Sequence, residues 1–235
     1  MTIEVTLLKI KYIENALKQL QVLGIKNAEV VSDCGFYSEK NLSLLFQSSF
    51  NFITRAPHSV KWIRSEIDKV LTQIEDTGNM CLFESGTYGT TICLRHKIKK
   101  QRKYASKEKG LESGDNEYLS KRIYLHVFVN DVTKISNSCS FDNELNRIRN
   151  EYLGGQREFT ESAKKIIDKY MIIKNKKDGT VDIKFNTAAI KETKKYDGVF
   201  VLIYNKEKDT FEALRKYRKR EWIEDFFEEY NLVDI

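Results

Sequence analysis

The sequence predicts an α/β fold, and three observations carry the prediction. Helix, strand, helix and strand patterns follow one another within the first 55 residues. The first of those strands, AEVVS at 28–32, reads as the fully buried type found in parallel layers. And 41% of the 235 residues are hydrophobic, enough for a packed core in one large or two small domains.

The elements follow in order. Leu7, Leu8, Ile10, Ile13, Leu17, Leu20 and Leu23 form a helical stripe over 4–23 that Gly24 ends. Nothing before residue 28 reads as a strand. Asp33 stands at the C-terminal end of the strand at 28–32, the end where α/β sheets gather their ligands. Ser38 caps a helix to about Gln47. FNFIT at 50–54 is a second strand, closed by Ala56 and the only proline, Pro57. Val60, Ile63, Ile67, Val70 and Leu71 mark an amphipathic helix over 59–74. From 80 to 98, β-formers around Gly86 and Gly89 read as a strand pair, and the polar run 99–117 as a mobile loop. RIYLHVFVN at 122–130 alternates as a strand. A helical region over 141–170 breaks at Gly154-Gly155, and strands follow at 180–185 and 197–205. The last helix begins near Asp209 or Thr210.

Net charge is +6 and the pI about 8.9, a balance compatible with nucleic acid. The basic excess concentrates in 95–109, RHKIKKQRKYASKEK, whereas 221–234 is acidic. That basic segment suits a DNA backbone, with Arg95, Lys97, Lys99, Lys100, Arg102 and Lys103 as the contacts; it suits a solvated loop equally. Four cysteines form no CxxC pair and three histidines are scattered, which argues against a zinc site. With no signal peptide or long apolar run, the chain reads as cytoplasmic, without a membrane partner. Trp62 and Trp222 lie on helical apolar stripes and read as core.

Two short motifs carry chemistry. Tyr217, Arg220 and Glu224 lie at offsets of three and seven, so a helix turning about 100° per residue groups them within roughly 60°. Trp222, Ile223, Phe226, Phe227 and Tyr230 occupy the neighbouring arc, so a phenol, a guanidinium and a carboxylate line the edge of a buried face. Read alone, Arg220 and Glu224 are an exposed i,i+4 pair contributing ~0.3–0.5 kcal/mol. The second motif is Asp33, Gly35 and Phe36; read alone, Asp33 is a strand-end turn residue.

Together these motifs resemble the DDE transposases of bacterial insertion sequences, in the branch whose last catalytic motif is Tyr-x2-Arg-x3-Glu-x6-Lys. Asn231 stands at the Lys position, and no Asp precedes residue 33 to match the family's first catalytic aspartate. The resemblance implies an incomplete RNase H-like α/β core, residues 1–56 and 207–235, interrupted by a β-rich α+β insertion over 57–206. It implies a piece lacking the family's N-terminal part and C-terminal tail. It assigns Asp33 and Glu224 as catalytic metal ligands for Mg²⁺, with Mn²⁺ as a substitute, and Tyr217 and Arg220 as contacts to the DNA backbone. Two carboxylates do not hold the metal pair that such phosphoryl transfer needs. The implied function is a fragment of a cut-and-paste transposase in the bacterial cytoplasm, inactive alone and binding transposon ends. The alternative is a non-enzymatic DNA-binding or oligomerising module, as a homodimer or a mixed dimer that inhibits the full-length enzyme.

Overall fold

The computed structural model describes residues 3–7, 13–48, 50–101, 116–176, 181–206 and 208–231, and gives the backbone path alone at 3–7, 100, 101, 116 and 221–231. In chain order these residues form β1 (Ile3–Leu7), α1 (Ile13–Val22), β2 (Ala28–Ser32), α2 (Glu39–Gln47), β3 (Asn51–Ala56) and α3 (Lys61–Val70). Then come β4 (Thr87–Gln101), β5 (Asn116–Asn130), α4 (Asp131–Leu153), α5 (Glu161–Tyr170), β6 (Met171–Asn175), β7 (Val181–Phe185), α6 (Thr187–Lys194), β8 (Val199–Tyr204) and α7 (Thr210–Asn231). The fold is mixed α/β. It divides into two compact units, Met1–Phe128 with Phe200–Ile235, and Val129–Val199.

The first unit is built on a six-stranded mixed sheet in the order β1-β2-β3-β8-β5-β4. β1, β2 and β3 are parallel, and β8 runs antiparallel to β3 with Ile53 opposite Tyr204. Strands β4 and β5 therefore share one sheet with β1–β3, although the sequence assigned them to an insertion. Two expectations are corrected at the N-terminus. The helix is shorter than 4–23, and a strand precedes it at Ile3–Leu7. β2 is consequently an interior strand with partners on both sides and no bare edge. The β-branched Ile3, Val5 and Thr6 favour the extended form, which the run of Leu7, Leu8 and Ile10 had masked.

Farther along, the strand pair at 80–98 is a single long strand, β4, paired with β5; Met80 makes only an isolated bridge to Tyr88. β4 also runs through 99–101, where a loop was expected, and β5 begins at Asn116; residues 102–115 lie outside the described residues. β6 and α6 had no counterpart in the sequence reading, and α4 starts ten residues earlier than 141.

Local chemistry sets the helix starts. Ser38 Oγ accepts the Asn41 N–H at 3.0 Å to open α2. The Asp209 carboxylate accepts the N–H groups of Phe211 and Glu212 at 3.0 and 2.9 Å to open α7. α7 then buries Ala213, Leu214 and Tyr217 against Val31, Ile53, Phe128, Leu202 and Tyr204. Gly89 makes this approach possible: a Cβ there would lie 2.6 Å from the Phe128 ring and 2.9 Å from Thr210, the first residue of α7.

The second unit has its own core, with α4, α5 and α6 packed around Leu145, Ile148, Ala163, Ile167, Tyr170, Met171 and Ile183. β6 and β7 form a separate two-stranded antiparallel ribbon over it, with Ile173 opposite Ile183.

Candidate functional site

Val31 packs beneath α7, and side chains alternate along a strand, so Glu29 and Asp33 share that face of β2. A single 3-10 turn, Cys34–Phe36, turns the chain away and leaves Asp33 half-exposed at the strand end. The Tyr217 hydroxyl donates to Asp33 Oδ1 at 3.0 Å, joining residues 184 positions apart. The Arg220 guanidinium lies 5.1 Å from the centre of the Tyr217 ring. Burial opposes ionisation of Asp33. The Cys34 N–H, the Tyr217 hydroxyl and the charges of Arg220 and Arg55 outweigh it and hold the carboxyl below its usual range. Burial pushes the Tyr217 phenol up, so it remains a proton donor.

A second attachment holds the same helix. Glu29 is 4% exposed and accepts from the Tyr204 hydroxyl. Lys216 Nζ donates to that hydroxyl at 3.0 Å and stands 3.8 Å from the Glu29 carboxylate. Glu29 and Asp33 are four residues apart, about 13 Å along a strand. Lys216 and Tyr217, adjacent in α7, therefore reach toward opposite ends of β2. Two tethers pulling in opposite directions fix where α7 sits along the strand, and hence where its next turns lie relative to Asp33.

A rim of arginines adjoins the carboxylate. The Phe200 ring has Arg55 at 5.7 Å and Arg218 at 5.5 Å from its centre. Arg218 grips Glu84 with two bonds, Nε to Oε2 at 3.0 Å and a terminal nitrogen to Oε1 at 2.8 Å. Burial opposes ionisation of Glu84, but this grip and the Thr87 hydroxyl hold its pKa down. The segment before β4 is thereby fastened to α7, and Arg215 lies 4.9 Å from the exposed Phe83 ring.

The structure thus brings Asp33, Tyr217 and Arg220 together. Tyr217 and Arg220 are 1% and 8% exposed, so the tyrosine hydroxyl serves Asp33 instead of facing outward. Glu224 lies in α7 seven residues beyond Tyr217, about 10 Å along the axis; its side chain is outside the described residues. Among the described residues, the charges that act on Asp33 are those of Arg220 and Arg55, not those of Arg95, Lys97 or Lys99. Gly89 and Thr91 face α7 and His126, and alternation carries Arg95, Lys97 and Lys99 along the same sheet face, all exposed. They lie roughly 20–33 Å beyond Gly89 along β4, where His96 between Arg95 and Lys97 bonds Glu39 at the start of α2 at 3.2 Å. Of Lys100 only the backbone is described, and Arg102 and Lys103 lie outside the described residues.

Sequence reasoning missed Arg55, Glu29 and Lys216, none of which belongs to a motif. It also placed Trp62 in the core. Its indole N–H instead donates to Glu39 at 3.0 Å and its ring stacks on His96 at 4.4 Å; the Trp222 side chain lies outside the described residues.

A divalent cation tests poorly against the described residues. No three His, Cys, Asp or Glu side chains among them converge as a cage, and two guanidiniums already balance Asp33. Asp33 alone does not fit Mg²⁺ or Mn²⁺, and a metal there requires further carboxylates. His126 is no ligand either: it bonds Thr91 at 2.7 Å in the interior, and Thr91 bonds Thr210 at 2.6 Å. Cys34, Cys81, Cys93 and Cys139 are free thiols, and among the described residues no helix is long and apolar enough to cross a membrane. Set against protein-family models, curated proteins and solved structures, the chain matches none.

Proposed function

We propose that this chain is part of a DDE-type transposase, with β2, β3 and α7 as the acidic-site side of an RNase H-like core whose sheet is continued by β8, β5 and β4. The observation that carries the reading is the Tyr217 hydroxyl on Asp33, with Arg220 one turn farther on and Glu224 in the turn after that. A phosphoryl-transfer site needs its carboxylate ionised and fixed in direction, and both follow from the donors around Asp33. Arg55, the more exposed of the two arginines, supplies a planar, bidentate donor that suits a phosphate of a DNA end, and Arg220 adds its charge from behind. Residues 1–32 contain no Asp, so the family's first acidic ligand has no counterpart in this chain. The chain alone therefore binds duplex DNA without cutting it.

A second reading has one observation in its favour. The charge balance of Asp33 against Arg55 and Arg220 equally suits a structural ion cluster. The protein is then a non-enzymatic module that occupies transposon ends or forms mixed dimers with a complete enzyme.

Incubation of labelled duplex DNA carrying insertion-sequence ends with the chain, in Mg²⁺ and in Mn²⁺, tests both. Binding at low salt without nicking is expected. Metal-dependent nicking that disappears in Glu224→Gln would show that the chain is a complete enzyme. No binding even at 25 mM salt would remove DNA from both readings.

A further inference from the structure

Apart from the basic segment 95–109, a further excess of positive charge lies between residues 161 and 195, where ten lysines face five acidic residues and there is no arginine. Several of these lysines have structural duties. Lys164 pairs with Glu161 and Lys194 with Asp142, while Lys169 and Lys195 lie over the Tyr170 and Tyr196 rings. Lys191 lies in the last turn of α6, where a cation offsets the helix dipole. The lysines of the β6–β7 ribbon have no such duty. Among the described residues, Lys174, Lys176 and Lys184 are exposed and have no acidic partner within ion-pair distance.

The ribbon is two-faced. Met171, Ile173, Ile183 and Phe185 pack into the core of the second unit. The register pairs Ile172 with Lys184 and Lys174 with Asp182, and alternation turns both pairs outward. Ile172 is 47% exposed, an apolar side chain flanked by ammonium groups. Core packing anchors the inner face of the ribbon and leaves the outer face to solvent.

We propose that the outer face of the β6–β7 ribbon is a duplex DNA-binding surface, separate from the Asp33 region. A two-stranded ribbon has the width that the major groove admits. Lys174, Lys176 and Lys184 meet backbone phosphates, and Ile172 meets the apolar groove floor, where thymine methyl groups lie. Asp182 is the opposing charge on this face and weakens the attraction. The surface extends the DNA-binding reading to the second unit and does not depend on Asp33 being catalytic.

The test is fluorescence anisotropy of the full chain with a labelled 20-base-pair duplex of random sequence, between 25 and 150 mM NaCl. Each neutralised phosphate contributes about 0.9 to the log–log salt slope. Lys174→Gln/Lys176→Gln/Lys184→Gln should lower that slope by about 2–3. Asp182→Asn should tighten binding, a gain that a misfolded protein does not show. An unchanged slope in the triple variant, or no tightening in Asp182→Asn, overturns the proposal. So does a loss confined to phosphatidylserine vesicles, with duplex binding intact. If wild-type chain binds no duplex at 25 mM salt, the DNA-binding reading fails with it; if it binds and the triple variant keeps its slope, only the ribbon surface fails.

Discussion

Replacing Tyr217 with Phe removes one hydroxyl from the centre of the candidate site and leaves its packing in place. The ring is 1% exposed among Val31, Ala213 and Leu214, and a phenyl ring fills that space. What is lost is the 3.0 Å bond to Asp33 Oδ1. A hydrogen bond to a charged group contributes about 1.5–3 kcal/mol. Asp33 is half-exposed, so water replaces part of it, and the expected loss is about 1–1.5 kcal/mol at pH 7. For a chain of this length that lowers Tm by roughly 2–6 °C. The pH dependence sets the sign. The folded-state pKa of Asp33 is depressed, so its contribution is full above the unfolded carboxyl value of about 3.9 and is lost as pH falls through the folded value. The stability gap between wild type and Tyr217→Phe should therefore shrink as pH drops below about 4. Denaturant titrations at pH 7 and pH 3 measure the gap, and carboxyl NMR follows Asp33, whose pKa should rise in the variant. A gap of equal size at both pH values, with the Asp33 titration unmoved, would refute the coupling of Tyr217 to Asp33.

Two further outcomes follow from the packing beneath α7. Lys216→Met strands the buried Glu29 carboxylate with only the Tyr204 hydroxyl and should cost about 2–3 kcal/mol, discounted from a fully buried pair because Lys216 is partly exposed. The double variant Glu29→Gln/Lys216→Met should recover most of that in chemical denaturation; additive losses would mean that the two groups do not interact. Gly89→Ala pushes a methyl to 2.6 Å from the Phe128 ring and 2.9 Å from Thr210, so a loss of about 1–3 kcal/mol is expected in thermal melts, and unchanged stability would mean that β4 and α7 are not in close contact.

How much of this was legible depended on the range of the signal. The strand at Ala28–Ser32, the Ser38 cap and the start of α7 each rest on neighbouring residues, and sequence reasoning found them. The Asp33 and Tyr217 motifs are local too, and the fold brings them into contact across 184 residues. Arg55 was invisible because it is one residue of a strand with no motif, and its relevance arises only from β3 lying beside β2. Glu29 belongs to no motif, and its partners come from β8 and α7. β1 was lost because Leu7, Leu8 and Ile10 extend the helical period of α1 backward, whereas parallel pairing with β2 decides its state. The basic stripe of β4 was recognised as charge, but only strand geometry shows that Arg95, Lys97 and Lys99 share one exposed face.

The position of β3 has a consequence for the nascent chain. It is the strand where the parallel half of the sheet meets the antiparallel half, and its second partner, β8, is encoded about 140 residues later. At ribosomal rates of about 5–20 residues per second, roughly 7–30 s separate the emergence of the two strands. Throughout that interval β3 presents an open hydrogen-bonding edge, and Phe52 and Ile53 in it are apolar. Closing so long a loop is also slow at the level of folding itself. Synthesis of this protein thus carries a window in which β3 is exposed to pairing with other nascent chains, and holdase chaperones that cover that edge should raise the yield of folded protein.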